Sequence, residues 1–135
     1  MISMPSSIGE AARRSGIKVP TIRYYEQIGL LHPSRSGGRR TFGAAELRRL
    51  IFIRRARELG FEIEAIRRLL ALQDVPERSC EEVDAMTRAH LAEIDRKIQA
   101  LESLRNELTQ TLDRCAGGRI AECHVIETIA GQPNR

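Results

Sequence analysis

Three cysteines, Cys80, Cys115 and Cys123, carry the most distinctive chemistry in this chain. Thiolates take soft or borderline cations, so the set suits Zn(II), Cd(II), Pb(II), Hg(II) or Cu(I). Charge narrows the choice. Three thiolates around a divalent ion leave one net negative charge, as do two around a monovalent ion. Three around Cu(I) leave two, which a partly buried site disfavours. The ligand count therefore favours a soft divalent ion over Cu(I). His124, next to Cys123, is a further candidate ligand or simply a surface imidazole beside one. His90 reads as a helix-surface residue, and His32 as structural or near a nucleic acid. The cysteine count is odd, with no signal peptide and no bilayer-length apolar run, which points to a reducing cytoplasm and no membrane partner. A thiol redox sensor is the competing use, but a Cys115–Cys123 disulfide leaves Cys80 idle. Catalysis is excluded for want of a nucleophile–base–acid set or a phosphate loop, and adjacent Cys123 and His124 on a helix point apart.

One long stretch positions these thiols. Between Cys80 and Arg114, Leu91, Ile94, Ile98, Leu101, Leu108 and Leu112 fall at three- and four-residue steps with one gap of seven. Leu104 stands beside Arg105, where the strict step wants an apolar residue. Neither proline nor glycine interrupts the run, so it reads as a coiled-coil helix, about 50 Å long at about 1.5 Å per residue. So narrow a stripe needs a partner helix, most economically from a second copy. An antiparallel homodimer brings Cys80 of one chain near Cys115 of the other. Beyond the helix, Gly117 and Gly118 let the backbone fold back so that Cys115 and Cys123 converge. A short helix from His124 to Ile129 follows, whose Val125, Ile126 and Ile129 form a lid on the loop.

The head of the chain has a different texture. Residues 1–60 carry 12 Lys/Arg against 4 Asp/Glu, whereas residues 61–135 carry 10 against 14. A basic head on an acidic arm points to a polyanion at the head, most simply nucleic acid. Ser7 caps a short helix, Ile8 to Arg14, with Glu10 as its capping-box partner. Gly16 closes it, and Pro20 opens a second helix that runs to about Gln27. Two short helices around a glycine turn make a helix-turn-helix. The second helix buries Ile22, with Tyr25 a further core candidate, and offers Arg23 and Tyr24 to phosphate oxygens. Residues 32–42 form a β-hairpin with Gly37-Gly38 at its tip, a basic wing. Two further helices, Ala44 to Leu59 and Glu62 to Leu72, pack Leu47, Leu50 and Ile51, and Ile63, Ile66, Leu69 and Leu70, inward. Gln73 to Ser79 is a hinge linker.

These residues resemble the MerR family of bacterial transcription regulators over about residues 7–129. The resemblance lies in Ile8-Gly9-Glu10-Ala11-Ala12, Thr21-Ile22-Arg23-Tyr24-Tyr25-Glu26, Gly29-Leu30-Leu31 and Arg54-Arg55-Ala56-Arg57-Glu58-Leu59-Gly60-Phe61. The Thr-Ile-Arg-Tyr-Tyr-Glu run is highly specific, and the three cysteines resemble the metal-sensing branch. The resemblance implies a mainly α fold: a winged helix-turn-helix DNA-binding head, a long antiparallel coiled-coil dimerisation helix and a C-terminal metal-binding loop. It implies a homodimer on double-stranded promoter DNA whose −35 and −10 elements are spaced too far apart. Effector binding then bends and untwists the DNA so that RNA polymerase engages both.

The expected layout is 1–72 for the head, 73–79 for the hinge, 80–114 for the dimerisation helix, 115–130 for the metal loop and short helix, and 131–135 for a disordered tail. The candidate DNA-binding residues are Lys18, Thr21, Arg23, Tyr24, Arg39 and Arg40. The candidate metal ligands are Cys80, Cys115 and Cys123, with His124 in addition. Lys18 departs from the family's usual serine cap, Arg39 from its wing aromatic, and Glu62 from its Ser/Thr cap. Arg40 matches the family's wing arginine. The family's monovalent sensors typically carry serine where this chain has Cys80, which again favours a divalent ion. The seven residues between Cys115 and Cys123, as few as in copper sensors, point the other way. A member with structural cysteines and an organic effector is the remaining alternative, though it lacks the expected aromatic-rich ligand domain.

Overall fold

The computed structural model describes residues 6–114 and 117–131. The chain divides into two compact units, one ending at Met86 and one starting at Thr87.

In the first unit, α1 (Ile8–Ser15) starts where Ser7 Oγ accepts the Glu10 N–H at 3.3 Å. The reciprocal half of the expected capping box is not made. Glu10 instead pairs with Arg13 and Arg14 one turn on, where long guanidinium side chains compete successfully for its carboxylate. Gly16 ends the helix at φ 76°, a left-handed conformation that glycine adopts without a Cβ penalty. Helix α2 (Val19–Gln27) begins one residue before the expected proline, because Pro20 is tolerated in the second helical position as well as the first. Its Ile22 and Tyr25 are buried.

Strands β1 (Ser34–Ser36) and β2 (Arg39–Thr41) form the antiparallel wing, with Arg35 opposite Arg40 and Ser36 opposite Arg39. Gly37 and Gly38 both have positive φ, 60° and 80°, the signature of a two-residue turn whose twist matches the strands. A bridge between Ser6 and Phe42 ties the wing to the start of the chain, and Phe42 is buried.

Helix α3 (Ala44–Glu58) packs against α1 and against α4 (Ile63–Gln73). The buried row on α3 is Leu50, Ile53 and Ala56; Leu47 and Ile51 are only half-buried. The inward face is turned from the expected one because α3 has neighbours on two sides. On α4 the fully buried residues are Ile66 and Leu70, with Ile63 and Leu69 half-buried. Two arginines hold α2 from behind. Arg49 Nε donates to the Leu30 carbonyl at 2.7 Å, and Arg67 Nη2 donates to the Ile28 carbonyl at 2.8 Å. Gln73 belongs to α4 rather than to the linker, and the residues after it are ordered turns. Val75 N–H donates to Leu72 O at 3.1 Å and Arg78 N–H to Val75 O at 3.0 Å.

Helix α5 (Glu81–Asp113) is unbroken for 33 residues. Along its length Leu91, Ile98, Leu101, Leu104, Leu108 and Leu112 stay exposed. In the second unit a 3₁₀ turn (Ile120–Glu122) leads into α6 (His124–Ala130), which Gly131 closes. No helix among the described residues is long and apolar enough to cross a membrane.

Candidate nucleic-acid interface and metal centre

The helix-turn-helix presents its polar residues on α2. Lys18 is exposed at the N-cap and makes no side-chain cap bond, so its ammonium is not spent on the helix end. Its carbonyl accepts the N–H groups of Thr21 and Ile22 at 3.0 Å, which start the helix without a serine. Thr21 is half-buried, whereas Arg23 and Tyr24 are exposed. Burial raises the Tyr25 phenol above its ordinary value, partly opposed by the Arg57 guanidinium, so it stays neutral. A cleft of about 410 Å³ runs beside this turn, with Lys18, Thr21, Arg54 and Arg57 among its lining. Arg54 and Arg57 were missed as neighbours of the helix-turn-helix. They lie four and seven residues after buried Leu50, so they border the inward face of α3 and not its solvent face.

The wing offers Arg35, Arg39 and Arg40, all exposed. Arg40 is not an unengaged cation, since its Nε lies 3.3 Å from Glu26 Oε2 on the last turn of α2. Glu62 precedes α4 without a side-chain cap bond, and its carbonyl accepts Ile66 N–H at 3.0 Å.

Cys80 is an exposed free thiol immediately before α5. Its carbonyl accepts the Asp84 N–H at 2.8 Å, so it is the residue on which the helix begins. Beside it lies a recess of about 280 Å³, lined by apolar side chains that include Phe52, Leu69, Val75 and Val83. Cys123 is half-buried between the 3₁₀ turn and α6. Its N–H donates to Ile120 O and its carbonyl accepts the Glu127 N–H, each at 3.0 Å. His124 opens α6 and lines a polar recess of about 210 Å³ with Glu107, Thr111 and Arg114. Of the expected lid, Val125 is half-buried while Ile126 and Ile129 are exposed, so in the single chain that apolar face is uncovered. Cys115 and the end of the tail, residues 132–135, lie outside the described residues.

Among the described residues no group of three or more His, Cys, Asp or Glu side chains gathers to hold a metal. The donor chemistry nonetheless fits a soft ion. Gly117 and Gly118 adopt φ 83° and 104°, a left-handed conformation that glycine takes without strain, and Cys123 is fixed by backbone hydrogen bonds on both sides.

Exposed Lys18 and Arg23 at α2 and three arginines on the wing, on a small helical scaffold, define a winged helix-turn-helix protein of the DNA-binding class. Two family models match the chain: "MerR HTH family regulatory protein" over residues 6–73 and "MerR, DNA binding" over residues 47–111. The chain belongs to the MerR family of transcription regulators. It is 42% identical over 125 residues to HTH-type transcriptional regulator HmrR of Rhizobium leguminosarum bv. viciae, covering 92% of this chain and 97% of that protein. It is 41% identical to Heavy metal-dependent transcription regulator 2 of Rhizobium meliloti (strain 1021), covering 92% and 86%. Among solved structures it is similar to the transcription regulator PbrR691 of Ralstonia metallidurans CH34 in complex with lead(II). There the TM-score is 0.80 and the identity 36%, over 92% of this chain and 98% of that one. Within the family these relatives place the chain in the metal-sensing branch.

Proposed function

We propose that this regulator is a homodimer that binds promoter DNA and activates transcription when a soft divalent ion, Zn, Cd, Pb or Hg, is bound. The observation that carries the reading is the exposed stripe along α5. Leu91, Ile98, Leu101, Leu108 and Leu112 have no cover in the single chain, and a second copy supplies it. Pairing the helices antiparallel sets Cys80 of the partner subunit near Cys115 and Cys123, completing a three-thiolate site. His124 is the adjacent candidate for a further ligand. The bound ion would link the two chains and draw the thiolates together; everything else is done by the protein. Holding Cys80 moves the start of α5 and changes the spacing of the two heads, through differential stabilisation of one dimer geometry. In the heads, Arg23, Tyr24, Lys18, Arg39 and Arg40 contact backbone phosphates and Thr21 supports α2 against the duplex. The altered head spacing distorts the promoter so that RNA polymerase engages both of its elements. The similarity to a lead(II)-bound regulator supports a divalent ion.

Mixed dimers test the reading. A Cys80→Ser chain is paired with a Cys115→Ser/Cys123→Ser chain. If ligands come from opposite chains, one site of this dimer is whole and the other has no thiolate. If all three come from one chain, neither site is whole. Thiolate-to-metal ultraviolet bands on titration with Zn, Cd, Pb, Hg and Cu(I) count the sites and rank the metals. One tight divalent ion per mixed dimer is expected, and none refutes the cross-chain site. A site that prefers Cu(I) and does not need Cys80 favours the two-thiolate alternative.

A further inference from the structure

Glu26 sits on the last turn of α2, and its side chain is only 15% exposed. Its Oε2 lies 3.3 Å from Arg40 Nε on the wing, while Oε1 is buried without a hydrogen-bond partner. A largely buried carboxylate with one oxygen unsatisfied is costly unless a cation stands close by, so the packing of α2 creates a demand that Arg40 meets. The wing adds a reason for the match. Arg35 and Arg40 are direct cross-strand partners, and like charges placed opposite each other on a hairpin repel. Glu26 offsets that repulsion from the α2 side.

The closest approach is at Nε, as an ion pair rather than a hydrogen bond, so the guanidinium's N–H donors, four of them on the Nη edge, remain available. Arg40 itself is 40% exposed, so that end of the fork is open to solvent. The geometry points to Glu26 as a positioning residue for DNA binding: its carboxylate holds the Arg40 guanidinium by charge on the Nε side, which leaves the Nη edge for a backbone phosphate. The inference rests on the reading of Arg40 as a phosphate contact. It assigns to a carboxylate in a DNA-binding head a role that promotes binding, opposite in sign to its charge.

That sign makes it testable. If Glu26 is only a negative charge near DNA, or a trap that withholds Arg40, its removal tightens binding. If it pre-orders Arg40, removal makes DNA binding bear the cost of ordering a long side chain, and affinity falls roughly three- to tenfold. The experiment measures affinity of the full-length dimer for a mixed-sequence duplex, since phosphate contacts are independent of sequence. The variants are Glu26→Ala, Glu26→Gln, Arg40→Ala and the Glu26→Ala/Arg40→Ala double, each with its salt dependence and its thermal midpoint.

Expected are weaker binding by Glu26→Ala and by Arg40→Ala, and a double variant no weaker than Arg40→Ala alone. Glu26→Gln, which keeps an oxygen acceptor of the same shape, lies between wild type and Glu26→Ala. A lost phosphate contact lowers the salt slope by about one unit in Arg40→Ala and leaves it near wild type in Glu26→Gln. Weaker binding by Arg40→Ala with tighter or unchanged binding by Glu26→Ala overturns the positioning role while leaving Arg40 as a contact. Losses that simply add in the double variant overturn it too. Should Glu26→Ala unfold, an unchanged or tighter Glu26→Gln overturns it. Arg40→Ala without effect overturns the contact and the positioning role together.

Discussion

Leu101→Ala tests the dimer through a single side chain. In the isolated chain Leu101 keeps 64% of its surface exposed, so about two-thirds of its burial is left for a partner to supply. Full burial of a leucine is worth about 1.5–3 kcal/mol, so the remaining share is about 1–2 kcal/mol. Alanine retains the Cβ and part of that area, which leaves a loss of about 1 kcal/mol per chain. A symmetric dimer contains the substitution twice, so dissociation becomes easier by about 2 kcal/mol, or about thirtyfold in Kd. Arg105 supplies the internal contrast. It occupies the position at which the three- and four-residue steps call for an apolar residue, and a polar group in a coiled-coil seam costs stability while fixing register. Arg105→Leu therefore tightens the same equilibrium. Equilibrium sedimentation across a concentration series reads both changes. A wild-type chain that stays monomeric and folded at every concentration refutes the stripe as a dimer seam. So does a Leu101→Ala dimer indistinguishable from wild type.

Arg23→Ala, at an exposed position on α2, weakens operator and non-operator DNA alike and lowers the salt slope by about one unit, as binding isotherms at several salt concentrations read out. Cys80→Ser retains dimerisation and DNA binding, because serine is small and polar at a helix start, but loses most of the transcriptional response to divalent metal in a reporter assay. The Arg68–Glu82 pair gives a pH signature. Arg68 Nη2 donates to Glu82 Oε1 at 2.6 Å, and that hydrogen bond, with the Arg68 charge, holds the Glu82 carboxyl below its ordinary value of 4.5. A depressed folded value means the contribution is present above the unfolded value and fades as pH falls through the folded one. Thermal midpoints followed down through pH 4 should show a shallower acid-side fall in Glu82→Gln than in wild type, by a small amount for so exposed a pair.

Much of the fold is legible because local rules and tertiary packing agree. Gly37-Gly38 announces the wing, since both turn positions need positive φ and glycine supplies it without strain. The spacing of leucines and isoleucines announces α5, and Ser7 and Gly16 bracket α1. What is not legible are contacts whose partners lie far along the chain. Arg49 and Arg67 count toward a basic head, yet they spend donors on the Leu30 and Ile28 carbonyls, 19 and 39 residues away. Net charge cannot separate an arginine that braces α2 from one that faces a duplex. Glu10 illustrates the local limit: the capping-box pattern is present, but arginines three and four residues on take the carboxylate. At the proposed metal centre, residue types and spacing name candidate ligands only. Their assembly is not contained in one chain's fold on the proposed reading.

That division bears on how a bound ion would reach the DNA. On the proposed reading the ion acts at Cys80, the residue on which α5 begins, and the signal must cross the turns between Asp74 and Ser79. Their hydrogen bonds are short in range: Val75 to Leu72, Arg78 to Val75, and Glu81 N–H to Ser79 Oγ at 3.1 Å. Such bonds order the backbone of the turns themselves. The Arg68–Glu82 pair spans that joint, but both side chains are well exposed, and exposed pairs resist motion weakly. Phe52, Leu69 and Leu72 of the head, with Val75 and Val83, line one recess beside Cys80. Packed side chains settle into discrete arrangements rather than yielding smoothly. On that reading, a displacement of Cys80 would reach the head through the side chains that line this recess, and the exposed ion pair would follow the motion.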